Sequence, residues 1–342
     1  MGFKEFPRPL GINNGGNMMG NVEVTPNSNF NSLAGSNQPE NASEEYIAYR
    51  KAWIDNPKEF IVDELPLDLD IESSSLCNLK CTFCDRQPLV EKNQLGNMSM
   101  ETFKHILDQF APEKGKRLCS MKLSYRGEPL LNKFIPEMVK YAKGKGVLDI
   151  YFNTNGMLLT EEISRALIEA HLDRISFSID GTNADEYEKV RVGGKLDTVI
   201  SNIKRLRELR EEYRVTYPKV RIQTVKLPGL DLDKYANTWK EYADEVAALE
   251  YTDESRRVEG LKGNWACPQL WQRMTVEWNG DVFGCNNDDL RGIFLGNVNE
   301  RSIYDCWHDE KLLEIRQLHM EGRSHEVKDC NGCPWRTAQI RK

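Results

Sequence analysis

The stretch Cys77-Asn78-Leu79-Lys80-Cys81-Thr82-Phe83-Cys84 places three cysteines within eight residues, at steps of four and then three. A structural zinc site takes its four ligands as two separated pairs of Cys or His. Three thiolates on one short loop suit a cubane iron–sulfur cluster with one iron left without a protein ligand. An iron with an open position can bind a small molecule. Just upstream, Leu67, Leu69 and Ile71 alternate with Asp68 and Asp70, the pattern of a strand running into the loop. Loops after strand C-termini are where parallel α/β architectures carry their chemistry.

Outward from this loop, strands and helices alternate. A helix is expected around 99–111 with Ser99 as its cap, and a strand over 118–124. Helices near 132–144, 160–170, 195–213 and 231–244 then alternate with strands near 147–153, 174–179, 220–225 and 246–251. Repeated βαβ units imply a parallel sheet, and six such strands fit either an open doubly wound sheet or a partial barrel. After residue 252 the pattern changes. Met274, Val276 and Trp278 alternate before Asn279-Gly280, a type I′ hairpin signal, and a helix is expected over 300–319. Upstream, Ser43 caps a helix that carries Tyr46, Ile47, Tyr49 and Trp53 and stops near Pro57. Residues 1–42 are rich in Asn, Gly, Ser and Pro and bury too little apolar surface to offset ordering, so a flexible arm is expected. The expected organisation is an arm (1–42), a helical segment (43–65), an α/β unit (66–252) and a C-terminal unit (253–342).

With 342 residues, the chain is long enough for two domains. Its net charge is −7 with both signs interspersed, so it lacks the basic footprint of a nucleic-acid binder. No apolar run approaches a membrane span and no secretory signal is visible, so a cytoplasmic protein without membrane or nucleic-acid partners is expected. Nine cysteines in that reducing setting point to metal ligation rather than disulfides.

The spacing C-x3-C-x2-C, with an aromatic just before the third cysteine, resembles the radical S-adenosylmethionine (radical SAM) family. That resemblance implies an α/β fold, a partial (β/α)6 TIM-like barrel with a small C-terminal α+β iron–sulfur domain. It also implies that Cys77, Cys81 and Cys84 hold a [4Fe–4S] cluster whose open iron chelates the methionine part of S-adenosylmethionine. Further cofactor contacts follow from the family's motifs. Gly127-Glu128-Pro129 would receive the ammonium, although Arg126 stands where the family has a further Gly. Asn153 and Asn155 would meet ribose hydroxyls, with a plain turn an equally good reading of Asn155-Gly156. Ser178 and Arg191 would hold the carboxylate, and Phe83 would face adenine.

A second cysteine set, Cys267, Cys285, Cys330 and Cys333, falls at steps of 18, 45 and 3. It resembles the family's twitch domain, a short form of the SPASM extension, with a spacing similar to that of aminocyclitol dehydrogenases. There the four thiolates hold one auxiliary [4Fe–4S] cluster; zinc is the competing reading of four thiolates taken alone. Cys119 and Cys306 read as core residues, with Cys119 a minority candidate for hydrogen donor. The five histidines form no ligand spacing and read as surface or core. The implied activity is reductive cleavage of S-adenosylmethionine and hydrogen abstraction from a sugar, nucleotide sugar or aminocyclitol, ending in dehydrogenation or epimerisation. Such an enzyme needs an external one-electron donor such as flavodoxin or ferredoxin. The competing functions are a peptide-modifying maturase and, third, a non-enzymatic metal or electron-transfer protein.

Overall fold

The computed structural model describes residues 30–36, 38–84, 95–227, 229–249, 258–287 and 291–341. Strand β1 (Phe30–Gly35) and helix α1 (Glu44–Glu59) precede the parallel strands β2 (Asp68–Ile71), β3 (Ser120–Lys122), β4 (Asp149–Thr154), β5 (Arg174–Ser178), β6 (Lys219–Val225) and β7 (Glu245–Leu249). Between them run α2 (Met100–Leu107), α3 (Ile135–Gly144), α4 (Glu161–Glu169), α5 (Ala184–Val190), α6 (Leu196–Tyr213) and α7 (Leu232–Trp239). The C-terminal part adds β8 (Arg273–Val276), β9 (Asp281–Phe283), β10 (Phe294–Asn297), α8 (Ile303–Trp307), α9 (Glu310–Met320) and α10 (Pro334–Ile340). The expected caps form: Ser43 accepts from the Tyr46 N–H and Ser99 from the Thr102 N–H.

The sheet is an open, curved partial barrel of ten strands in the order β1-β7-β6-β5-β4-β3-β2-β8-β9-β10. β2 to β7 pair in parallel in chain order. The hairpin does not stand apart: β8 pairs with β2 in parallel, Asp68 opposite Arg273 and Ile71 opposite Val276. At the other edge β1 pairs antiparallel with β7. The arm expected through residue 42 therefore contains an edge strand, because ladder hydrogen bonds to β7 supply what its polar composition cannot. Residues 1–29 of that arm lie outside the described residues.

Alternation sorts the two sheet faces. Leu69, Ile71, Met121, Leu123, Ile150, Phe152, Ile175, Phe177, Val220 and Ile222 are all fully buried and join one core with helix residues such as Phe103, Met138, Leu167 and Ile203. That core continues through Trp307, Leu312 and Ile315 of the C-terminal helices. The opposite face carries Asp70, Lys122, Tyr151, Arg174, Arg221 and Gln223, which lie in register across neighbouring strands.

Two helix expectations change. α1 continues past Pro57 to Glu59. A proline there leaves the carbonyl four residues back without its helical donor, and Gln272 Nε2 donates to that Trp53 oxygen at 2.6 Å. The Arg273 guanidinium lies 4.7 Å from the Trp53 ring centroid, so α1 closes the N-terminal end of the sheet. The helix expected over 300–319 breaks in two, because Asp309 caps a fresh start by accepting from the Lys311 N–H at 3.0 Å.

Candidate active site and auxiliary cysteine site

The cysteine loop leaves β2 and is stitched to the end of α5. Lys80 N–H donates to Val192 O at 2.9 Å and Thr82 N–H to Val190 O at 3.0 Å. Leu79, only 3% exposed, anchors it in the core. Nearby N–H groups point at two of the sulfurs: Leu79 N–H lies 3.5 Å from Cys77 Sγ and Arg191 Nη1 lies 3.7 Å from Cys81 Sγ. Thiolates bound to iron accept such contacts, so the donor set suits a cluster.

Gly127 is required here by close approach. A Cβ on it would sit 2.1 Å from Ser74 O and 2.6 Å from Leu76 O, both backbone atoms leading into the cysteine loop. The next residue ties the same segments, Glu128 N–H donating to Leu76 O at 2.7 Å. The Glu128 side chain is 2% exposed. Its carboxylate accepts from Leu130 N–H at 3.1 Å, Thr154 Oγ1 at 2.7 Å and Asn155 N–H at 2.8 Å. Burial nevertheless pushes its pKa up. Asn155 in turn donates from Nδ2 to Asn78 Oδ1 at 2.8 Å and accepts from Met157 N–H. Glu128 and Asn155 thus form a hydrogen-bonded relay from the end of β3 through the end of β4 to the cysteine loop. Asn153 and Ser178 instead stand half-buried on the open polar face.

Arg191 reaches the loop under tight control. Its Nε donates to Asp180 Oδ2 at 2.6 Å, and its guanidinium lies 5.2 Å from the Phe83 ring centroid. Asp180 is fixed by Thr224 Oγ1 and Val225 N–H, both donating to its Oδ1 at 2.9 Å. Arg191 thereby meets Cys81 and the Phe83 ring of the loop, whereas Ser178 stands opposite Gln223 on the polar face. Asp180, to which the sequence reading gave no role, is the counter-ion that aims Arg191.

Arg126 does not point at empty space. Its Nη1 donates to Glu277 Oε1 at 3.1 Å, and Arg291 pairs with the same carboxylate. Beside them Glu72 is 1% exposed, with Oε1 lacking a partner among the described residues. Burial, then the Glu277 charge, push its pKa up to about 7. These four residues join β2, β3 and the C-terminal hairpin at the mouth of the polar face. Cys119 is not brought there. It precedes β3 at the opposite end of the strands, against the Tyr46, Tyr49, Trp53 and Leu67 cluster, with its thiol pushed up to about 11 by burial. Cys306 is fully buried in the core.

The four later cysteines do come together. Cys267, Cys285, Cys330 and Cys333 border one small cavity with Trp265, His319, Asp329, Trp335 and Arg336. Burial, then the neighbouring sulfurs, push the thiols of Cys267 and Cys285 up, so the site disfavours four bare thiolates. Trp335 Nε1 and Arg336 Nη1 are buried donors without a partner among the described residues. A negatively charged iron–sulfur cluster supplies both the cationic irons the thiolates require and sulfur acceptors for those donors. The residues fit the group.

Comparison with known proteins agrees with this layout. A family model described as the radical SAM superfamily matches residues 71–238, and one described as an iron–sulfur cluster-binding domain, SPASM, matches 267–334. The tungsten-containing aldehyde ferredoxin oxidoreductase cofactor-modifying protein of Pyrococcus furiosus is 32% identical over 321 residues, covering 79% of this chain and 88% of its own. A probable GTP 3′,8-cyclase of Methanococcus maripaludis is 35% identical over 133 residues, 39% of this chain, and the match spans only 43% of that relative. Two solved structures share the fold. BtrN in complex with AdoMet and 2-DOIA superposes with a TM-score of 0.53 at 19% identity, over 80% of this chain and 93% of its own. Streptococcus suis SuiB bound to the precursor peptide SuiA gives 0.58 at 16% identity, over 88% and 76%. Among the described residues no helix is long and apolar enough to cross a membrane.

Proposed function

The chain belongs to the radical SAM superfamily, and on that premise we propose that it oxidises or epimerises a small polyhydroxylated molecule of the sugar, nucleotide-sugar or aminocyclitol class. The observation that carries this reading is the polar face of the sheet. Lys122, Tyr151, Asn153, Ser178 and Gln223 stand on it in register, with hydroxyl, amide and cationic ends. Such a surface rewards a ligand dense in hydroxyl and amino groups, and leaves buried polar groups unpaired against an apolar one.

S-adenosylmethionine, when bound, would supply the radical chemistry that opens a substrate C–H bond. The chain's own residues would seat that cofactor: Cys77, Cys81 and Cys84 would hold the iron, Arg191 and Ser178 the carboxylate, the Gly127–Pro129 backbone the ammonium, Asn153 the ribose and Phe83 the adenine. The Glu128–Asn155–Asn78 relay keeps the loop in place while the substrate exchanges. The C-terminal cysteine site lies on the sheet that continues β2, which would suit a cluster there to receive the electron that the substrate radical gives up on becoming the ketone. The reaction also requires an external one-electron donor, for which flavodoxin or ferredoxin is suited.

Anaerobic turnover with a panel of nucleotide sugars, free sugars and aminocyclitols tests the reading. One ketone or one epimer accompanied by 5′-deoxyadenosine is expected from a member of the panel. Turnover of a peptide alone would replace this proposal with the maturase reading.

A further inference from the structure

His319 sits on α9 between two of the auxiliary cysteines. Its ring is fully buried. Nδ1 accepts from the Cys267 backbone N–H at 3.1 Å, and Nε2 lies 3.4 Å from Cys330 Sγ. The first contact decides the second. A nitrogen that accepts a hydrogen bond carries no proton, so the ring's proton is on Nε2 and that N–H donates to sulfur. The imidazolium form, protonated on both nitrogens, would lose the Cys267 bond.

Resting on the reading that Cys267, Cys285, Cys330 and Cys333 hold an iron–sulfur cluster, we propose that His319 is a positioning residue that raises the reduction potential of this cluster by donating Nε2–H to the Cys330 thiolate. The physical basis is charge. A reduced cluster carries one more negative charge than the oxidised one, and a hydrogen bond to a ligating sulfur stabilises the more negative state more. Arg336, whose side chain borders the same cavity, acts in the same direction by Coulomb attraction. The site is thereby tuned to take an electron. A closed cluster without such donors would be poised lower.

The test uses the full chain with Cys77→Ala, Cys81→Ala and Cys84→Ala, so that only the auxiliary site can load. Iron is counted after anaerobic reconstitution, and the midpoint potential is read by redox titration followed by electron paramagnetic resonance. About four irons per chain are expected. His319→Leu should lower the potential enough to change the reduction equilibrium at least ten-fold, about 59 mV for one electron. His319→Gln, which keeps an N–H donor and an oxygen for the Cys267 amide, should recover part of that shift. A parent protein without the four irons overturns the cluster reading itself. Loaded His319→Leu with the parent's potential overturns the tuning role alone. Loss of iron from both His319 variants assigns the ring to holding the Cys267 loop and also overturns it. If only His319→Leu fails to load, His319→Asn, too short to reach Cys330, takes its place under the same two criteria.

Discussion

Asp180→Asn isolates the pairing that aims Arg191. The asparagine keeps an oxygen for Thr224 Oγ1 and Val225 N–H, which meet Asp180 Oδ1 at 2.9 Å. What it changes is the other atom. An amide N–H₂ replaces Oδ2, the acceptor 2.6 Å from Arg191 Nε, so donor faces donor. The side chains involved are 1% and 14% exposed, so water cannot take over the pairing. Removing one partner of such a buried pair costs about 3–5 kcal/mol, most of it from the charge left behind. Anaerobic urea unfolding of the wild type, Asp180→Asn, Arg191→Met and the double variant would give the coupling energy directly. We expect a coupling of about 2 kcal/mol or more, toward the upper end of neighbouring-site values. Asp180→Asn should also weaken S-adenosylmethionine binding at least ten-fold, about 1.4 kcal/mol, because the guanidinium loses its fixed aim. A coupling below about 0.5 kcal/mol, the level of independent sites, with unchanged cofactor affinity, would refute the reasoning.

Glu72 makes stability fall with pH. Its folded pKa of about 7 exceeds the ordinary 4.5 because of burial first and Glu277 second. Between these values the folded state holds a proton that the unfolded chain has released. The stabilisation is fully present below about pH 4.5 and is lost as pH rises to 7, at most about 3 kcal/mol in all. Glu72→Gln should flatten that fall in urea midpoints taken from pH 5 to 8; an unchanged slope contradicts the assignment. Gly127→Ala should push the Ser74–Leu76 backbone away and strip the first cluster, leaving about four of about eight irons; full iron loading would show that the close approach is not needed.

The strand–helix alternation was legible because its apolar positions recur at the right periods, and the Ser43 and Ser99 caps form as expected. The cysteine loop was legible for a different reason: ligand spacing within one loop is local. What could not be read depends on distant partners. Nothing in Met274, Val276 and Trp278 tells that their strand pairs in parallel with β2 rather than starting a separate sheet. Glu128 and Asn155 look from sequence like cofactor contacts, and their short-range motifs do lie at the site. Only the folded chain shows that their side chains are engaged by Thr154, Leu130 and Asn78. The replacement of a glycine by Arg126 became intelligible once Glu277, 151 residues away, appeared opposite it. His319 carried no spacing signal at all, because its two partners arrive from separate parts of the chain. The edge strand β1 was hidden by polar composition, which ladder pairing tolerates.

The central claim is that the first cysteine loop initiates radical chemistry and the second cysteine site completes it. The most direct measurement is 5′-deoxyadenosine formed when anaerobically reconstituted protein meets S-adenosylmethionine and dithionite. We predict formation by the wild type and by Cys267→Ala, and none by the chain carrying Cys77→Ala, Cys81→Ala and Cys84→Ala. A wild type that loads both clusters yet forms no 5′-deoxyadenosine would contradict the account.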